Sequence, residues 1–417
     1  MTGTIEDTRR RLTVPQGTAL YVGAVLGTGV IALPALAARV AGPASLLAWA
    51  ALVLLSVPVA ATFAALGARY PDAGGVSTYV RHAFGTRAAA VVGWCFFLAV
   101  PPGASAAATF AGTYVAAAFG GGRATVTGTA VALMVVVTAT NAYGVRLTGR
   151  VQLLLAGLLV ALLLAAVTVA VPRARVANLH PFAPHGWLAV GSAAALLVWS
   201  FAGWEAITHL AADFRDPARD LPRATGIAVA VVGVLYLAIA AASLLVLGPA
   251  TGSTGAPLAA LFGGGRAAVV AAAAAVLLTL GTMNAYYAGA AKLAAALGRD
   301  GALPSWFAHG SAAGETPRRG LAVVAALGTT GFVVTTAAGV GPAPLVLLTT
   351  GCFVTVYALG TAAAVRLLPR RTAAHRLALV AVAAVAALAV STGRYLGWPL
   401  LVAAAACGYL HVRRRRA

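Results

Sequence analysis

Twelve apolar stretches use up nearly the whole of this 417-residue chain. They lie near residues 15–41, 43–67, 88–118, 124–142, 147–171, 187–212, 224–248, 266–297, 319–338, 343–365, 375–392 and 395–412. Each is close to the roughly 20 apolar residues that a helix needs to cross a bilayer. The longest polar connection, 299–319, is too short to fold as a soluble domain. The expectation is therefore one all-α polytopic membrane domain, residues 1–417, with twelve transmembrane helices. Composition agrees, since 61% of residues are hydrophobic and only 9% are charged, against roughly 25% charged in soluble domains.

A formal net charge of +20 would suggest nucleic acid in a soluble chain, but its distribution points elsewhere. With the N-terminus placed inside, 23 of the 29 basic residues fall on the cytoplasmic segments, among them Arg9 to Arg11, Arg215, Arg219, Arg223 and Arg413 to Arg416. The other six, Arg39, Arg123, Arg173, Arg175, Arg266 and Arg394, fall on the opposite face. This bias predicts both termini in the cytoplasm and reads the basic tail as an anchor beside anionic lipid. No nucleic-acid partner is expected. No cleavable signal is expected either, because the first apolar stretch is a full span without a preceding small-residue cleavage site. One lysine against 28 arginines, with heavy Ala and Gly usage, suggests a GC-rich bacterial genome and hence the bacterial inner membrane. Cys95, Cys352 and Cys407 lie in spans without ligand spacing and read as packing residues; no metal or cofactor is called for. A monomer or weak homodimer is expected.

Two spans carry interruptions at matching depth. Gly27-Thr28-Gly29 sits near the middle of the first, and Phe201-Ala202-Gly203-Trp204-Glu205 near the middle of the sixth. Backbone released from its ladder inside lipid costs several kcal/mol per group unless protein or a wet cavity satisfies it. Paired breaks in corresponding spans point to the binding site of a secondary transporter. Spans one and six are five apart, and an odd number of spans per copy turns the second copy over. This predicts a five-plus-five inverted repeat, residues 15–171 and 187–365, with two appended helices at 375–412. Spans three and eight, the longest, would tilt and line the centre. After span two, Pro71 to Gly75 stops the helix and leaves Val76 to Phe84 as a short amphipathic helix or a plain interfacial loop. Pro101-Pro102 should kink span three, either as simple bending or to open space near a ligand.

Together, Gly27-Thr28-Gly29-Val30, the Pro71-Asp72-Ala73-Gly74-Gly75 turn, Trp199 to Glu205, Asp216 to Arg223 and Arg299 to Pro304 resemble the amino acid, polyamine and organocation (APC) superfamily. Leu26 to Val30 and His209 to Phe214 look most like the branch of bacterial exporters of L-methionine and branched-chain amino acids. The resemblance covers essentially the whole chain and implies the leucine-transporter fold with discontinuous helices one and six. It also implies an amino acid substrate.

Carried onto this sequence, the resemblance seats the substrate carboxylate on N–H groups of Gly27, Thr28, Gly29 and Val30, where a half-helix presents unpaired donors and its positive dipole end. The ammonium would meet carbonyl oxygens at Val25 and Leu26 and from Trp199 to Ala202, a stretch that includes Phe201, with Gly203 in the second break. A small-residue packing face is the alternative for Gly27 and Gly29. Trp199 and Phe201 resemble an aromatic gate, or serve as packing. Phe97, Met283 and Asn284 would line an apolar, uncharged pocket suited to Met, Leu, Ile or Val. Relatives often carry a Lys in span five, and none stands here.

Glu205 is the one acidic residue near mid-span. A charge at that depth costs about 2.5–3.5 kcal/mol on insertion scales, so a proton carrier is the default functional reading. A permanently protonated Glu bonded to unwound backbone is the alternative. His209 and Asp213 follow on the same face, as a proton relay, or as a solvated cytoplasmic surface or a closing ion pair with a loop Arg.

The sequence lacks a P-loop, and its nine acidic residues hold no catalytic constellation; an enzyme is not expected. The reading is a secondary active transporter of apolar L-amino acids, exporting by proton antiport with alternating access. An importer or exchanger of other specificity, or a non-transporting amino-acid sensor on the same fold, are the alternatives.

Overall fold

The computed structural model describes residues 12–71, 75–144, 149–205, 208, 211, 214–310 and 316–416. Among them the regular structure is helical apart from one isolated parallel bridge, Leu12 to Phe214. The helices are α1 (Val14–Leu26), α2 (Gly29–Ala41), α3 (Ser45–Arg69), α4 (Val76–Phe84), α5 (Thr86–Phe119), α6 (Arg123–Ala142), α7 (Gly149–Ala170) and α8 (Leu188–Phe201). They continue with α9 (Pro217–Leu247), α10 (Pro257–Leu261), α11 (Arg266–Arg299), α12 (Arg318–Ala337), α13 (Ala343–Leu367), α14 (Ala373–Thr392) and α15 (Gly397–Arg416). Arg9 to Arg11, Asp72 to Gly74, Arg146, His209 and Asp213 lie outside the described residues, and with them the relay reading of the last two.

Nine helical runs among the described residues are long and apolar enough to cross a membrane. Two of these, Gly29–Arg69 and Ala373–Arg415, each contain two helices joined by a 3-10 turn. The helices α1 and α8 have only 13 and 14 residues. At 1.5 Å per residue each is about 20 Å long, short of the roughly 30 Å hydrocarbon core. They are half-spans because their ladders stop at the two breaks.

Local chemistry explains the other boundaries. Asp216 caps α9, accepting from Arg219 N at 3.4 Å, with Pro217 in the first turn where its missing N–H costs nothing. Gly75, at φ +54°, turns the chain into α4, which buries Val76, Tyr79, Val80 and Ala83 and leaves Arg81 and His82 exposed. The helical alternative for this segment is the one observed. Pro101 and Pro102 do not end α5, which runs unbroken for 34 residues. Ser105 Oγ, one turn on, lies 3.0 Å from Pro101 O and 2.7 Å from Gly328 O, tying α5 to α12.

Helix α5 is the central post, touching α6, α11, α12, α13 and α15. Around the breaks, α1 lies on α7 and α9, and α2 lies on α8 and α9. Small residues permit these close approaches. A Cβ at Gly112 would meet Val126 backbone of α6 at 2.5 Å, and one at Gly93 would meet Leu297 of α11 at 2.7 Å.

Candidate functional site

Helix α1 stops at Leu26, Gly27 takes φ +32° and ψ −161°, and α2 restarts at Gly29. Helix α8 stops at Phe201, Ala202 is extended, and Gly203 takes φ +125°, a conformation that favours glycine. The two interruptions press on each other. A Cβ at Gly203 would lie 3.1 Å from Ala24 O, and one at Gly29 would fall on Ser200 Oγ and 3.1 Å from Ser200 Cα. Glycine at both points lets backbone approach backbone.

Tyrosines from four helices satisfy the released backbone. Tyr236 Oη of α9 lies 2.8 Å from Val25 O and 2.7 Å from Ser200 O, so its one proton serves either broken helix. Tyr21 Oη donates to Trp204 O at 2.5 Å, while Trp204 Nε1 donates to Ser56 Oγ at 3.0 Å. Tyr114 Oη donates to Ile31 O at 2.6 Å, holding α2 to α5. Tyr357 Oη of α13 sits 2.5 Å from Glu205 Oε2 and 3.2 Å from Phe201 O.

Glu205 is 5% exposed. Its Oε2 also accepts from Gly203 N at 2.9 Å. The carboxyl therefore closes a tight turn back onto the break, and any change in its proton count is felt by the unwound backbone and by α13 together. The geometry is compatible with both sequence readings of this residue, a titrating group and a structural one.

Between the breaks lies a small cavity of about 50 Å³. Of the residues expected at a binding site, Val25, Gly27, Thr28, Gly29, Trp199, Ala202 and Met283 line it. Six others do not. Leu26 and Val30 are buried in the helix packing, and Gly203 faces Ala24. Phe201 packs on Trp49 and Tyr236, at ring separations of 6.0 and 5.0 Å, so its ring turns away from a gating position. Phe97 sits edge-on to Phe307 at 5.9 Å; its neighbour Phe96 lines a second, larger cavity instead. Asn284 reaches to α6, its Oδ1 2.7 Å from Asn141 Nδ2 and 3.2 Å from Thr140 Oγ1. Successive helical residues point about 100° apart, so Met283 facing the cavity turns Asn284 away from it.

Beside the cavity lies a vestibule of about 700 Å³. The two share Ala24, Gly27, Val100, Thr282, Tyr286 and Phe353. Ala19, Ser77 and Lys292 line the outer part, so the vestibule extends toward the face from which α1 starts. On the other side of the breaks α2 is almost wholly buried, and Trp199 packs on Phe110 with ring centroids 5.6 Å apart and planes tilted by 53°. The larger cavity therefore lies on the side of the breaks from which α1 starts.

A family model described as amino acid permease matches residues 12–406. An uncharacterized amino acid permease of Bacillus subtilis (strain 168), YecA, is 33% identical over 99% of this chain and 97% of its own length. The chain belongs to the amino acid permease family. The permease is accordingly a multi-pass membrane transporter of the APC superfamily and not an enzyme. It is also 39% identical to the L-methionine/branched-chain amino acid exporter YjeH of Escherichia coli (strain K12), over 55% of this chain and 54% of that one. The branched-chain amino acid permease BcaP of Bacillus subtilis is 26% identical over 54% of this chain and 52% of its own.

The permease brings to the cavity residues that sequence reasoning missed, Thr282, Tyr286, Thr349 and Phe353, beside Ser200 of the expected Trp199 to Ala202 stretch. Ser200 Oγ is buried with no hydrogen-bond partner, while Thr349 Oγ1 lies 3.2 Å from Ala99 O. A signal existed for the tyrosines. A phenol deep in an apolar span needs a partner for its hydroxyl, and Tyr21, Tyr236 and Tyr357 find theirs at the breaks. Among the described residues no His, Cys, Asp or Glu cluster could hold a metal, and Cys95, Cys352 and Cys407 are free thiols.

Proposed function

We propose that this permease is a secondary active transporter of apolar L-amino acids of the methionine, leucine, isoleucine and valine class, working by alternating access. The observation that carries this reading is the cavity between two broken helices, none of whose lining side chains bears a charge. Its floor offers the N-terminus of α2 to a carboxylate and carbonyl groups at the end of α8 to an ammonium. Met283, Ala104 and Phe353 leave an apolar space for the side chain. A cationic or anionic side chain would be stranded there without a counter-charge. The substrates named for YjeH and BcaP are of the same chemical class.

The architecture we infer has twelve crossings, α1 with α2 and α8 with its unwound continuation each forming one. It contains a five-plus-five inverted repeat and two appended helices in a single domain. Neighbour relations support the repeat: α2 packs on α8, α3 on α9, α5 on α11 and α6 on α12, each pair being five spans apart. The basic bias supports both termini being cytoplasmic, the arginine-, alanine- and glycine-rich composition supports the bacterial inner membrane, and the vestibule then lies on the cytoplasmic side of the breaks.

Glu205 is the proton carrier in this reading. It is a buried carboxyl bonded to the break itself, so loading it from outside and releasing it inward would drive the amino acid out by antiport. Purified protein in proteoliposomes should exchange internal for external labelled leucine or methionine in counterflow. Specific binding without counterflow would indicate a sensor and sink the transport reading.

A further inference from the structure

One wall of the vestibule carries a cation that the transport scheme above does not use. Lys292 is the single lysine of the chain, and its side chain lines the vestibule. It stands nine residues beyond Met283 on α11, about 14 Å along the axis, and seven residues short of the helix end at Arg299. Tyr286, Gly289 and Leu293 lie on the same vestibule-facing stripe. The walls opposite are Gly93 and Phe96 of α5 and Leu153 and Ala156 of α7, all apolar, with the Ser77 hydroxyl of α4 near the rim and Glu205 at the floor. Among the described residues the Lys292 ammonium makes no hydrogen bond and no ion pair.

An ammonium offers three donors and no acceptor. Lys292 is exposed within the vestibule, and the apolar walls beside it lessen the solvent screening that its field would meet on an open surface. A carboxylate leaving the N–H groups of α2 for the face from which α1 starts travels along the wall that carries this group, and among the described residues the vestibule lining holds no other cation. We propose that Lys292 forms a second, transient carboxylate-binding point for the amino acid, between the helix breaks and the membrane face. This rests on the reading of the central cavity as an amino acid site, which the experiment tests separately.

The test uses the full chain in proteoliposomes of uniform orientation, with initial counterflow rates of leucine measured from each face. Lys292→Met should raise the apparent KM from the vestibule face about tenfold, the low end of electrostatic focusing in clefts, and leave the KM from the other face unchanged. Lys292→Arg should restore it to within about twofold. A second measurement needs no variant: saturating leucine should slow acetylation of Lys292 in the wild-type protein, read by mass spectrometry against the terminal amine. Unchanged KM together with absent protection would overturn the proposal, as would an equal rise in KM from both faces. Absence of wild-type counterflow would overturn the transport reading and this proposal with it, whereas normal counterflow with a silent Lys292 would overturn the proposal alone.

Discussion

Tyr357 Oη stands 2.5 Å from Glu205 Oε2, joining a helix near the end of the bundle to the one mid-span carboxyl, 152 residues away in sequence. The same oxygen accepts from Gly203 N. The protonation state of Glu205 is thereby bonded both to the break in span six and to α13. Glu205→Gln retains the shape of the side chain but cannot titrate. It should keep leucine counterflow and lose accumulation driven by an imposed pH gradient. Gradient-driven accumulation at the wild-type level would send the proton to another group.

The contact between Gly29 and Ser200 leads to a second expectation. Gly29→Leu must push α2 away from α8, because even a Cβ overlaps Ser200, and overpacking of this kind costs about 1–3 kcal/mol. Substrate binding should fall at least about tenfold while the protein still inserts. Gly128→Leu is the control, since nothing lies within 4 Å of a Cβ there. A Gly29→Leu protein that transports normally would remove the break from the site.

Two poles of the substrate are expected to be read independently. The methyl ester of leucine lacks the carboxylate that α2 would receive, and N-acetyl-leucine lacks the ammonium. Each should compete about 10- to 100-fold less well than leucine in a flux assay, the range for losing a hydrogen bond to a charged group. Tight competition by both analogues would defeat the two-pole arrangement.

Adjacent residues on α11 should behave differently. Met283 lines the cavity, so Met283→Ala should shift preference among leucine, isoleucine and methionine, as ratios of competition constants would read. Asn284 holds α6, so Asn284→Ala should lower the detergent melting temperature by an interaction of about 0.6 kcal/mol and leave those ratios alone.

Tyr236 bridges the carbonyls of Val25 and Ser200. Tyr236→Phe removes the hydroxyl from a buried position and should cost about 1–3 kcal/mol of stability. Thermal unfolding in detergent checks this, with substrate protecting the variant less than the wild type.

What the sequence determined alone was whatever depends on neighbours along the chain. Apolar runs of spanning length, the glycine-bearing interruptions at Gly27 to Gly29 and around Gly203, the Pro71 to Gly75 stop before α4 and the Asp216-Pro217 start of α9 all follow from local backbone rules and hydropathy. The family too was legible there, because its motifs sit at those interruptions. The tertiary structure decided the direction each side chain takes once its helix is tilted and packed. Sequence spacing could not choose Phe96 over Phe97 for the vestibule, nor foresee that Asn284 turns to Asn141 while Met283 faces the cavity, since a rotation of about 100° per residue separates neighbours and only packing sets its origin. Nor could it bring Tyr357 to Glu205 or Ser200 to Gly29. Those contacts arise between helices far apart in sequence, where small residues let two unwound backbones meet and distant phenols supply the hydrogen bonds that lipid cannot.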